Sequence, residues 1–395
     1  MLNKKCIALC LLLSLFTVNC AGCDLADTQK PLTISGFAFN TTYTFTLYQG
    51  GNQELLERCV SKCNQFEEIF SRTRKDSELY RINQMEQIYL QLWQEKTGTN
   101  ALCRKWDKIT EKKMSQEKIA RLEENLREQM QEQNITDVEI AVTSNGAIRI
   151  PVSKQMSELL QKGLEYSRLS DGCFDFTIDP VSRLWDFSSG EGTVPEKAEI
   201  RENLSYIDYR KVQLVDGCIE FAMPGMGIDL GGIAKGYIAD EMKEYLVAEG
   251  VTSGMINLGG NVLCIGQKSD KEPFHIGIQQ PFADRNETIA AINANDVSVV
   301  SSGIYERYIQ TEEGKQYHHI LNPKTGYSYN NHLIGVTIVS DKSVDGDGLS
   351  TVTFALGLEQ GMELVDSLEN VEAVFITEDE KLHYSKGFEN MLYET

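Results

Sequence analysis

The chain has 395 residues, 41% of them hydrophobic, enough to build a sizeable core in one large or two ordinary domains. Lys and Arg total 38 against 58 Asp and Glu, a formal net charge of -20. Nucleic-acid binding rests on clustered cations that displace counterions, so this balance argues against a nucleic-acid surface, and a polyphosphate held by such a chain needs a local cationic site.

The N-terminus reads as a secretory signal. Lys4 and Lys5 precede the apolar run Cys6–Val18, which is too short to span a bilayer stably. The run ends at Asn19-Cys20-Ala21-Gly22-Cys23, where small residues before a cysteine resemble a lipoprotein cleavage site. Cys23 is the favoured lipidation site, with Cys20 or simple secretion as alternatives. A diacylglyceryl group on Cys23 would anchor the chain to the outer face of the membrane. The chain thus divides into a signal at 1–22, a tether at 23–35 and a domain at 36–395. None of Cys59, Cys63, Cys103, Cys173, Cys218 and Cys264 forms a paired CxxC, so zinc is not expected. Cys59 and Cys63 share a helix face and read as two buried thiols, a disulfide being the alternative.

Thr41–Tyr48 alternates β-branched and aromatic residues as a strand does, and Glu54–Phe70 has helical spacing with Leu55, Cys59, Cys63 and Phe66 on one side. A polar loop, Phe70–Leu79, follows. The Glu-, Lys- and Gln-rich stretch at about residues 84–146 reads as a helical insertion of two antiparallel helices, either a solvated appendage or a partner-recognition element. Ser153–Ser170 is an amphipathic helix closed by Asp171-Gly172. Strand-like runs over Val212–Gly266 surround a helix at Gly232–Glu249, Ile276–Gln280 and Val297–Ser302 read as strands, and a further helix begins at Gly348. Strands mixed with helices, without a regular βαβ period or a fixed repeat, give an α+β class.

Four runs could carry chemistry. Gly172-Cys173-Phe174-Asp175, with Trp185 and Phe187 after it, places rings and a carboxylate beside a helix end, where a heteroaromatic ligand could stack; core packing explains the same residues. Asp229-Leu230-Gly231-Gly232-Ile233-Ala234-Lys235 and Asn257-Leu258-Gly259-Gly260-Asn261 are two elbows that let backbone approach an anionic ligand, although the spacing does not match GxGxxG. Lys235 would reach a phosphate, while Asp229 would bond a ligand group or cap the following helix. His318 and His319 enter the turn Asn322–Gly326, and strand alternation lets one of them face a cleft as general base while the other faces water. Asp347, Ser350 and Thr351 fall at i, i+3 and i+4 of a helix start, a hard-oxygen face suited to Mg2+ beside phosphate, with capping by Asp347 as the bland alternative.

Taken in order, Phe39-Asn40-Thr41-Thr42-Tyr43, Ser170–Asp175, Asp229–Gly236, Asn257–Asn261, Ser302–Glu306 and His319–Gly326 resemble the ApbE family, the FAD:protein FMN transferases, over about residues 36–82 and 147–385. The resemblance implies an α+β, ApbE-like (T-fold-related) architecture of mixed sheets with packed helices. It also implies Mg2+-dependent transfer of FMN from FAD to a Thr or Ser hydroxyl of an extracytoplasmic acceptor protein, with release of AMP. By position, Phe39, Cys173, Phe174, Asp175, Asp229, Lys235 and Leu321 would contact FAD, and Thr73 stands in the FAD-contacting loop. The Gly232 carbonyl, Asp347, Ser350 and Thr351 would surround the metal, and His319 would be the base.

Three positions depart from the family pattern. Ser350 stands where many members carry Asp, Asn322 replaces an Asp, and Thr73 stands where many carry Tyr. Loss of that ring would open the site to water, which makes an FAD pyrophosphatase the runner-up. A non-catalytic flavin-binding surface lipoprotein is the reading from another class.

Overall fold

An eight-stranded antiparallel sheet organises the fold. In this computed structural model residues 30–393 are described, except 98–105, 107–112, 137, 186, 188–193, 269–271 and 285–286. Cys20, Cys23, Cys103 and Asp186 lie outside the described residues. The strands follow the spatial order Leu32–Ala38, Thr41–Gln49, Ser253–Leu258, Asn261–Ile265, Ser298–Gly303, Leu333–Ser340, Val371–Thr377 and Leu382–Tyr384. Leu333–Ser340 is buried along its whole length. Val336 and Ile338 belong to the main core, and Val339 to a second core under the hairpin Phe274–Gln279/Thr288–Ala294. A strand covered on both faces needs a continuous apolar run rather than alternation, which its sequence LIGVTIVS supplies.

Helices Gln53–Phe70, Lys154–Leu169, Ala234–Ala248 and Ser343–Leu356 contribute to the main core. The first two start where a side chain caps them: Asn52 Oδ1 accepts from Leu55 N at 2.8 Å, and Ser153 Oγ from Met156 N at 3.2 Å. Cys59 and Cys63 are free thiols sealed inside the core, and burial pushes them up to about 11 and about 12. A smaller antiparallel sheet, ordered Ala141–Val142, Ile148–Pro151, Cys218–Phe221 and Val212–Val215, completes the framework.

Three expectations need correction. The tether ends earlier than residue 35, because Leu32–Ser35 already pair with Thr44–Leu47 as the start of the edge strand. The charged stretch is not a solvated appendage. Within it, helices Glu78–Thr97 and Gln116–Glu132 bury Met85, Ile88, Tyr89, Leu92, Leu122, Leu126 and Met130 in the main core. Each fully buried Leu there contributes about 1.5–3 kcal/mol, which a polar average over the segment conceals. Finally, the helix expected from Gly348 begins at Ser343, and Asp347 sits in its second turn. Its first amides are capped from another helix: Asp240 accepts from Ser343 N and Val344 N, each at 2.9 Å.

Candidate active site

A cleft of about 410 Å3 opens where the tip of the first hairpin, the loop after helix Gln53–Phe70, the Asp229 elbow and helix Ser343–Leu356 converge. Phe39, Thr73, Cys173, Phe174, Asp175, Asp229, Gly232, Lys235, His319, Leu321, Asp347 and Thr351 all line it. Ser350 does not. It is fully buried behind the wall, its Oγ 2.8 Å from Ser302 Oγ and donating to Asp347 O at 2.9 Å. The i, i+3, i+4 face is therefore split, with Asp347 and Thr351 toward the cleft and Ser350 toward the sheet.

Phe39 and Asn40 form the two-residue turn of the first hairpin, with φ of 55° and 56°. Hairpin twist favours this geometry, but a bulky Phe in the left-handed region is strained, and here the strain lies on the cleft wall. The Phe39 amide is held by Glu67 Oε1 at 2.6 Å. Of the two glycine elbows only the first reaches the cleft. A Cβ at Gly232 would lie 3.2 Å from Phe174, so glycine lets ring and backbone meet. Gly259 and Gly260 instead form the turn between Ser253–Leu258 and Asn261–Ile265, with φ of 62° and 95°.

Asp229 does not cap the next helix, which starts at Ala234 without a side-chain cap. Its Oδ1 accepts from Gly231 N at 2.9 Å, and its Oδ2 from Arg72 Nη1 and Ser182 Oγ, each at 2.8 Å. Burial would raise this carboxyl, but Arg72 and these donors outweigh it and hold it below the usual range. Arg72 also lies 3.8 Å from Asp179, which is buried and paired with Arg183. The Asp175 carboxylate accepts from Thr177 N, Thr177 Oγ1 and Tyr209 N, at 2.9, 2.6 and 3.0 Å, and so fixes its own loop; burial nevertheless raises its pKa. Arg307 lines the cleft as well, and so do Arg72, Ser182 and Tyr329, which motif reading did not single out.

Lys235 Nζ lies 3.2 Å from Asp347 Oδ1, and Gly236 N donates to Oδ2 at 2.9 Å. The two histidines divide as alternation suggested only in part, since one lines the cleft but the other is buried rather than facing water. His318 is buried, its Nε2 2.8 Å from Tyr329 O, while half-buried His319 lines the cleft. His319 Nδ1 lies 3.3 Å from Arg307 O. A carbonyl only accepts, so Nδ1 carries the hydrogen and Nε2 is left as the basic atom. Burial, aided by the charge of Arg307, pushes His319 down to about 3, so the ring is neutral at physiological pH.

Among the described residues no group of three or more His, Cys, Asp or Glu side chains could hold a metal. Asp347, Thr351 and Gly232 bring one carboxylate, one hydroxyl and a backbone segment to the same cleft, the carboxylate being held by Lys235 and the Gly236 amide. Such a donor set fits a hard cation that completes its shell with water and phosphate oxygens, rather than a closed all-protein cage.

The profile of the ApbE family matches residues 95–375. The chain belongs to the ApbE family. It is 38% identical over 263 residues to a FAD:protein FMN transferase of Klebsiella pneumoniae (strain 342), covering 66% of this chain and 80% of that protein. It is 31% identical over 257 residues to the FAD:protein FMN transferase of Treponema pallidum (strain Nichols), covering 61% and 71%. Among solved structures, the ApbE protein of Thermotoga maritima superposes with a TM-score of 0.70 at 24% identity, over 92% of this chain and 100% of that one. The flavin transferase ApbE of Vibrio cholerae does so with 0.68 at 23%, over 92% and 99%. These likenesses establish the α+β ApbE fold.

Proposed function

We propose that this chain is a FAD:protein FMN transferase, dependent on Mg2+ and lipid-anchored through Cys23 on the outer face of the cell membrane. The relatives named above support the transferase reading. The observation that carries it is the neutral His319 sharing one cleft with the Lys235–Asp347 pair: a base for a hydroxyl beside a cationic and hard-oxygen site for phosphate.

In this reading His319 Nε2 takes the proton of a Ser or Thr hydroxyl on an exported acceptor protein. The hydroxyl oxygen attacks the FMN-side phosphorus of FAD, the phosphorus–oxygen bond to AMP breaks, and AMP leaves. Asp347, Thr351 and the Gly232 carbonyl would hold Mg2+, which when bound neutralises pyrophosphate charge. Lys235 supplies a further positive charge, and Ser350 steadies the Asp347 turn from behind through its hydrogen bond to Asp347 O. Arg72 orients Asp229 toward the FAD side of the cleft.

Full-length chain in detergent, given FAD, Mg2+ and a Thr-containing peptide, tests this. AMP together with a peptide heavier by one FMN supports transfer. AMP and free FMN regardless of peptide would make it an FAD pyrophosphatase, the second reading, favoured by the short Thr73 side chain on the cleft wall. Asp347→Ala should abolish activity and its Mg2+ dependence; full activity would place the metal elsewhere.

A further inference from the structure

The two edges of the main sheet are treated differently. One edge, Leu382–Tyr384, is three residues long and flanked by Lys381 and Lys386, the usual protection against unwanted pairing. The other, Leu32–Ala38, is seven residues long and contains no charge, proline or bulge of its own, although Lys30 and Pro31 precede it; among the described residues it pairs only with Thr41–Leu47, in unbroken register. Thr33 and Ser35 are exposed and bond across to Thr46 and Thr44. Its far end runs into the cleft wall at Phe37. That residue is 71% exposed, more than any other large apolar side chain among the described residues.

We propose that the outer edge of Leu32–Ala38 is the docking strand for an extended segment of the acceptor protein, which pairs with it and passes over Phe37 so that its hydroxyl enters the cleft. Main-chain pairing supplies affinity that tolerates varied sequences, and Phe37 offers an apolar contact beside the reacting residue. The occupant is the acceptor rather than a second copy because the edge leads into the cleft that must admit the hydroxyl. The inference rests on the transferase reading.

The probe is a synthetic peptide library with one fixed Thr and random flanks of graded length, incubated with full-length chain in detergent, FAD and Mg2+. FMN-labelled peptides should require several residues on one side of the Thr. Thr33→Lys/Ser35→Lys, exposed changes outside the cleft, should retain FAD binding and cut labelling at least about tenfold, since edge lysines oppose strand pairing. Amide exchange of residues 32–38 should slow when the library is added without Mg2+, while 382–384 stays unchanged. Labelling that ignores flank length and survives the double variant would overturn the docking strand and leave the transferase reading intact. AMP without labelled peptide would overturn both. Edge amides already protected without peptide would overturn the proposal and assign the edge to the chain's own N-terminal segment or, if the protection depends on concentration, to a second copy.

Discussion

The Gly236 amide donates to Asp347 Oδ2 at 2.9 Å, and the neighbouring Lys235 ammonium lies 3.2 Å from Oδ1. Two consecutive residues of one helix thus hold a carboxylate presented by another. The contact requires glycine: a Cβ on residue 236 would overlap Ser343 O and lie 2.7 Å from Val344 Cα. Gly236→Ala should cost about 1–3 kcal/mol through overpacking and displace Asp347. Guanidinium unfolding measures it, and an unchanged midpoint would show that the helices part without penalty.

His319→Asn should abolish FMN transfer while FAD still binds, read by flavin fluorescence and peptide mass. Its pH signature follows from the depressed pKa. An unfolded histidine titrates near 6.5 and His319 near 3, so between these values the unfolded chain binds a proton that the folded one refuses. The stability contribution is complete above about pH 6.5 and is lost as pH falls toward 3. The Asn variant should lose less stability across that window than the parent. An identical acid profile would mean that His319 is not held neutral.

Arg72→Gln should weaken FAD binding on the order of tenfold, because a partly buried Asp229 loses its charged partner, a loss of about 1–3 kcal/mol. Titration of FAD fluorescence decides this; unchanged affinity would show that Ser182 and the Gly231 amide orient Asp229 unaided.

Glu86 is fully buried, accepts from Gly225 N at 3.1 Å with one oxygen, and has no hydrogen-bond partner for the other among the described residues. Burial raises its pKa well above the ordinary carboxyl range. The folded state therefore keeps a proton that the unfolded state releases, and stability falls as pH rises above about 4.3, the unfolded value, toward the folded one. Glu86→Gln should remove this loss and be more stable than the parent at pH 8. Thermal melts from pH 5 to 9 test it, and parallel curves for the two proteins would sink the idea.

Local signals carried most of the element assignments. The helix Lys154–Leu169 was legible because its cap, its apolar stripe and its closing Asp171-Gly172 all lie within its own span. Helix Ser343–Leu356 was misjudged at its start because its cap, Asp240, belongs to another helix. The segment at 84–146 misled for a related reason: charged residues dominate its composition, while a narrow apolar stripe decides where it packs.

Sequence alone determined the α+β class, the family and, Ser350 apart, the site residues that meet in the cleft, since the motifs are short and each needs only its own residues in order. The tertiary structure decided what each side chain does there. Arg72 reaches Asp229 across 157 positions, Ser350 turns from the cleft to Ser302, and Asp175 spends its carboxylate on its own loop. Hydrogen-bond partners and burial depend on which elements pack together, and no local pattern encodes those distances.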